Sequence, residues 1–294
     1  MHEGQIDVAA ETVRQLLREQ RPELADREIV PVVSTGTVNA LFRLGDDLVA
    51  RLPLLEAWAD GIEREWTWLP RLAERIRSLR LPEPVFIGEP SSGYPFRWSI
   101  LRWIEGSPYD DALVDDERAA AEALATFVRE LRSLPTHDAP TGGRRPLREL
   151  DGETREAILA ADGTIDASSA MRVWEDALEA PTWDGERTWV HGDLLRPNLL
   201  VDRGRLVAVI DFGGAGVGDP ATDLMPAWSV FGPIGRETFR SALEVDEATW
   251  ARGRGIALHQ AALVIPYYAE TNLGFVELSA RAIAHIVDDL DETR

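Results

Sequence analysis

Residues 190–224, VHGDLLRPNLLVDRGRLVAVIDFGGAGVGDPATDL, are the stretch on which the fold turns. His191, Gly192 and Asp193 open it, and Asn198 follows Asp193 by five positions. Two short apolar runs, 199–201 and 206–210, flank the turn Asp202-Arg203-Gly204, a pattern that predicts a β-hairpin. Asp211, Phe212 and Gly213 come directly after its second strand. An Asp or Asn alone is an ordinary turn or cap residue. Here they stand on either side of one hairpin. Asn198 and Asp211 would supply an amide and a carboxylate oxygen, hard ligands of the kind a divalent cation such as Mg²⁺ prefers, and Asp193 would then stay free to orient a hydroxyl and take its proton.

Outward from this stretch the texture changes twice. Residues 6–20 place Ile6, Ala9, Val13, Leu16 and Leu17 at helical spacing. Residues 29–52 read as short β-rich runs, IVPVV, NALFRL and LVARL, with Gly45-Asp46-Asp47 as a hairpin turn, and predict an antiparallel sheet. Ile62, Trp66, Leu69, Leu72 and Ile76 return to a helical period over 61–79, where Pro70 is expected to kink or restart the helix. Strands are expected near 85–87 and 98–104. Beyond Gly106-Ser107-Pro108 the chain turns mainly helical, with a helix over 116–134, a loop over 135–146 and helical segments over 149–180 joined at Asp162-Gly163. After the hairpin the rest reads as helix. The expected class is α+β in two lobes: an antiparallel sheet with a helix in 1–103, and a larger, mainly helical lobe in 104–294.

Composition narrows the chemistry. The 294 residues are 45% hydrophobic, enough for one large or two moderate cores. Cys is absent, which removes thiol nucleophiles, disulfides and Cys-rich zinc sites and fits a reducing, cytoplasmic setting. All 31 basic residues are Arg. A Walker phosphate loop and a pyridoxal Schiff base each need Lys, so both standard forms are excluded. A net charge of −20 argues against a nucleic-acid surface and favours cationic partners. An acidic, solvated surface kept for solubility explains that charge as well. No apolar run is long enough to span a bilayer, and the first residues lack signal-peptide blocks, so the mature chain is expected to begin near Met1.

HGDLLRPNLL and IDFGGAGVGDPATDL, with the upstream GTVNALFRLGDDLVARLP and the connecting ILRWIEG, resemble the aminoglycoside phosphotransferase family, small-molecule kinases with a protein-kinase-like fold. The resemblance runs along nearly the whole chain and is most specific at the HGDxxxxN and IDFG blocks. It implies two lobes with ATP or GTP in the cleft, Mg²⁺ held by Asn198 and Asp211, and Asp193 facing an acceptor hydroxyl as the catalytic group. It puts Arg51 of LVARLP where the family has a phosphate-binding Lys or Arg. The implied partner is Glu65, with Glu63 as the alternative because neighbouring helix positions differ by about 100°. By the same resemblance Ser34, Thr35, Gly36 and Thr37 offer donors to the β-phosphate, although a plain turn explains them nearly as well. Arg102, Trp103 and Ile104 would present hinge backbone to the base, while the side chains of Trp98 and Trp103 are expected to fill core. His191 is expected to be structural, and Asp219 and Asp223 to brace the loop or cap the helix beyond Pro220.

The expected acceptor is a hydroxylated small molecule, with an antibiotic such as an aminoglycoside ahead of a neutral macrolide or a metabolite. The resemblance implies an acceptor between the catalytic loop and the C-terminal helices, which makes Trp228, Tyr267, Tyr268, Glu270 and Asn272 the pool of expected acceptor contacts, most of them packing residues. Without GxGxxG or APE segments, protein substrates are disfavoured. Two other classes share part of the pattern. One is a nucleotide-binding pseudokinase without turnover, and the other a metal-dependent hydrolase built on His191, Asp193 and Asp211, which needs further His ligands nearby.

Overall fold

Phe42, Leu44, Leu48, Ala50 and Leu52 alternate along NALFRL and LVARLP, and all five are buried, so one face of these strands makes a core. The computed structural model describes residues 5–32, 38–91 and 93–293. Helix α1 (Ala10–Gln20) adds Val13, Leu16 and Leu17 to that core. Strands β1 (Ile29–Pro31), β2 (Asn39–Leu44), β3 (Leu48–Pro53), β4 (Pro84–Gly88) and β5 (Trp98–Arg102) form one sheet in the order β1-β2-β3-β5-β4. Every pairing in it is antiparallel.

Helix α2 (Asp60–Ala73) lies between β3 and β4 in sequence, yet it turns Leu69 and Leu72 into a second core. Trp68 packs edge-on against Trp189 with ring centroids 5.1 Å apart. Pro70 does not end the helix. It removes one backbone donor, opposite the carbonyl of Trp66, and Trp66 is 39% exposed, so water can satisfy that carbonyl. The helix stops at Ala73 rather than at 79 because the following backbone finds other partners. The N–H groups of Arg77 and Ser78 donate to Glu130, and that of Arg80 to the Val207 carbonyl.

The remaining elements are β6 (Ser107–Pro108), α3 (Glu117–Arg132), α4 (Asp151–Ala160), α5 (Ala167–Glu179), β7 (Thr188–Val190), β8 (Leu199–Asp202), β9 (Arg205–Val209), β10 (Gly216–Gly218), α6 (Pro226–Ser229), α7 (Pro233–Leu243), α8 (Glu247–Tyr268) and α9 (Leu273–Thr293). β8 and β9 form the expected hairpin, with β6 on the outer edge of β8, and β7 pairs with β10. β6 and β10 fall in stretches that read as loop and helix, because two or three residues carry no periodicity. Asp116, Asp166 and Asp246 cap α3, α5 and α8 by accepting first-turn N–H groups. The helices close around the second core, which contains Leu124, Trp174, Phe239 and Ile286. The chain therefore has an antiparallel-sheet part and a larger helical part in a two-lobed, kinase-like fold. Among the described residues, no helix is long and apolar enough to cross a membrane.

Candidate active site

β7 delivers the chain to Gly192, whose φ of +88° is open to Gly at little cost. Asp223, fully buried, accepts the N–H groups of His191 at 2.8 Å and Gly192 at 2.9 Å and so holds the loop from beneath. Burial pushes the Asp223 carboxyl up, against the pull of those two donors. His191 accepts the Asp193 N–H on Nδ1, which leaves its Nε2–H to donate to the Ile210 carbonyl, both at 3.2 Å. Its buried ring stands edge-on to Phe212 at 4.6 Å. With both nitrogens engaged, His191 is a brace for the loop.

The Asp193 carboxylate is held from two sides. Asn198 Nδ2 donates to Oδ2 at 2.8 Å and to the backbone oxygen of Asp193 at 2.9 Å. That commits the amide nitrogen and leaves the amide oxygen for another partner. Arg144 Nη2 donates to Oδ1 of Asp193 at 3.1 Å. Burial raises the Asp193 pKa by more than Arg144 lowers it.

Asp211 follows β9 with φ of +66°, a left-handed conformation that costs a non-Gly residue on the order of 1 kcal/mol or more. Its neighbours hold it there. Arg51 Nη2 donates to Asp211 Oδ1 at 2.7 Å, and Arg51 Nη1 donates to both oxygens of Glu65 at 2.6 and 2.5 Å. Glu65 also accepts the Phe212 N–H at 2.7 Å. Burial pushes Asp211 up, but Arg51 outweighs it and the carboxyl lies below its ordinary range. Asn39, with its amide oxygen turned inward, accepts from Arg51 Nε and Nη2 at 3.0 Å. Glu63 instead pairs with Arg97 at the surface, 3.2 Å away.

These groups open into one cleft of about 570 Å³, lined by Arg51, Asp193, Asn198 and Asp211 and by Arg102, Trp103 and Ile104. Ser34, Thr35, Gly36 and Thr37 lie outside the described residues. The Arg102 N–H donates to the Glu83 carbonyl and the Trp103 N–H to the Asp47 carbonyl, each at 2.9 Å. The N–H of Ile104 makes none of the described hydrogen bonds. Trp98 is core, but Trp103 is only half-buried: it follows the end of β5, lines the cleft and stacks under Arg43 at 4.7 Å.

The model of the phosphotransferase enzyme family (APH) matches residues 29–256. The chain belongs to this family. It is 28% identical to an aminoglycoside 3'-phosphotransferase of Salmonella typhimurium over 127 residues, 40% of this chain and 45% of that one. Across the curated relatives it matches, the chain spans between 45% and 65% of their length. It superposes on the GDP complex of wild-type aminoglycoside 2'-phosphotransferase-IIIa with a TM-score of 0.73 and 18% identity, covering 96% of this chain and 99% of that one. A macrolide 2'-phosphotransferase from Brachybacterium faecium gives 0.58 and 21%, covering 92% and 97%. At these identities the likeness is one of fold.

In this phosphotransferase-family chain, Tyr268 alone of the expected acceptor pool lines the cleft. Trp228 is core, tilted on Trp250 at 4.5 Å, Asn272 caps α9 through the Phe275 N–H, and Tyr267 and Glu270 are exposed. Arg144, which read as loop, comes to Asp193 because its segment is zipped to β10: Gly142 N–H donates to Val217 O and Val217 N–H to Pro140 O. A Cβ on Gly142 would lie 2.4 Å from the Gly216 nitrogen, so that approach requires glycine. The GG pair at 142–143 was the available signal, and it does not say what the loop approaches.

Proposed function

We propose that this protein is a small-molecule kinase that moves the γ-phosphoryl group of ATP or GTP to a hydroxyl. The observation that carries the reading is the Asn198 clamp. It fixes Asp193 as a base while keeping an amide oxygen available in the cleft that also holds Asp211. The acceptor oxygen forms its bond to the γ-phosphorus as the bond from that phosphorus to the β–γ bridging oxygen breaks. The nucleoside diphosphate leaves, and the hydroxyl proton passes to a carboxylate oxygen of Asp193 and on to solvent.

Asn198 and Asp211 fit Mg²⁺: one neutral and one anionic hard oxygen donor, half-buried, with the remaining positions left to phosphate and water. Bound there, the ion offsets phosphate charge and polarises the transferred group. Arg51, kept oriented by Glu65, brings a positive charge toward the phosphates while its N–H groups stay on Glu65, Asp211 and Asn39, and the Ile104 N–H is available to the base. The hydrolase alternative loses its His191 ligand, since both ring nitrogens are engaged within the protein. Incubation with Mg²⁺-ATP or Mg²⁺-GTP and hydroxylated acceptors, read by product mass, tests the proposal. Phosphorylated acceptor is expected; nucleotide that is never bound removes the reading.

A further inference from the structure

The cleft that contains Asp193 continues between α8 and α9. Ala257, Gln260, Ala261, Val264 and Tyr268 line it from α8, at the three- and four-residue spacing that puts them on one helix face. Phe275, Leu278, Ser279 and Ala282 line it from α9 at the same spacing. None of the nine is charged. Val264, Tyr268, Phe275 and Leu278 are half-buried, and Tyr268 and Phe275 pack edge-on at 5.3 Å. Gln260 and Ser279 add a neutral amide and a neutral hydroxyl. Among the described residues that line the whole cleft, the acids are Asp193 and Asp211 alone, and both are assigned to the transfer itself. Elsewhere on these elements Asp289 takes Trp250 and Arg254, Asp291 takes Arg172, and Glu277 is exposed and outside the lining.

We infer, resting on the phosphotransferase reading above, that the acceptor end of this cleft takes a predominantly apolar hydroxylated molecule carrying at most one positive charge, and does not select a polycation. The net charge of −20 pointed the other way from sequence, but that charge lies on surfaces other than the α8–α9 lining. A molecule with several ammonium groups would lose their hydration here without meeting a carboxylate in return. An apolar body would cover Val264, Phe275 and Leu278, while Gln260 or Ser279 answers one of its polar groups.

The test uses the full chain with Mg²⁺-ATP and Mg²⁺-GTP against two acceptor panels. One holds polycationic aminoglycosides, and the other macrolides, whose hydroxyls sit on a large apolar ring. The best macrolide-type acceptor is expected to exceed the best aminoglycoside in kcat/KM by about tenfold or more, with KM changing less than about twofold between low and high NaCl, because little charge is there to screen. Leu278→Asp and Ser279→Asp each put a carboxylate into the lining and are expected to raise that KM about tenfold, whereas Leu278→Met keeps it within about threefold. Thermal melting shows that each variant is folded. A polycation preferred over every apolar acceptor, with KM rising with salt, overturns the inference and leaves phosphoryl transfer standing. Bound nucleotide with no phosphorylated product from either panel overturns both.

Discussion

Glu65 accepts the backbone N–H of Phe212 at 2.7 Å, and the same oxygen accepts from Arg51 at 2.6 Å. One carboxylate thus joins α2, β3 and the segment carrying Asp211. The left-handed backbone at Asp211 is held by this junction, and α2 is itself anchored in the second core by Leu69 and Leu72. Arg51 and Asp211 therefore stand or fall with the placement of one helix.

Removing one member of this buried set leaves the others with unanswered charge. Glu65→Ala is expected to destabilise the protein by about 3 kcal/mol, and Arg51→Met by a similar amount. In urea denaturation the double variant should cost less than the sum of the two, with a coupling of at least about 0.5 kcal/mol. Strict additivity would contradict the contact. Glu63→Ala, at the surface, is expected to change stability by no more than about 0.5 kcal/mol.

Mg²⁺ dependence should separate Asp211 from Asn198. Asp211→Ala is expected to abolish the gain in nucleotide affinity that Mg²⁺ brings, since it removes the charged ligand. Asn198→Ala should reduce that gain only in part, and should also lower turnover because Asp193 loses its clamp. Titration calorimetry with and without Mg²⁺ reads the first effect, and an unchanged Mg²⁺ dependence in Asp211→Ala would sink the assignment.

How much of this is legible in the sequence depends on distance along the chain. The hairpin and its flanking Asp193, Asn198 and Asp211 are local, and their spacing alone brings them to one loop cluster. The choice between Glu65 and Glu63 was not, since both precede or follow an Arg on the same helix and only packing against Phe212 separates them. Arg144 reaches Asp193 from 49 residues away on a loop without periodicity. The α8 face at Ala257, Ala261 and Val264 is hidden for another reason. That helix is buried on nearly all sides, so no polar stripe marks which apolar face meets a cleft and which meets core.

Acid should weaken the fold through His259. Thr154 donates its hydroxyl to the Leu150 carbonyl, so the His259 Nδ1–H must donate to the Thr154 oxygen, at 2.8 Å. Burial lowers the His259 pKa to about 4. The folded state thus binds fewer protons than the unfolded one between about pH 6.5 and about pH 4, and stability falls as pH drops through that window. The loss from this group at pH 5 is expected to be about 2 kcal/mol. Urea denaturation near neutrality and at pH 5 should show it in the wild type, with a smaller difference in His259→Gln; an equal difference would assign it elsewhere.

The measurement that bears most directly on the central claim is acceptor phosphorylation by wild type and Asp193→Asn, followed by mass spectrometry beside nucleotide-binding titration. The wild type should add one phosphoryl group to the acceptor for each nucleoside diphosphate released. Asp193→Asn should bind nucleotide with little change and turn over at least about a hundredfold more slowly, since a positioned base contributes roughly 10²–10⁴-fold. Near-wild-type turnover in a folded Asp193→Asn variant, or nucleotide cleavage that never yields a phosphorylated acceptor, would contradict the account.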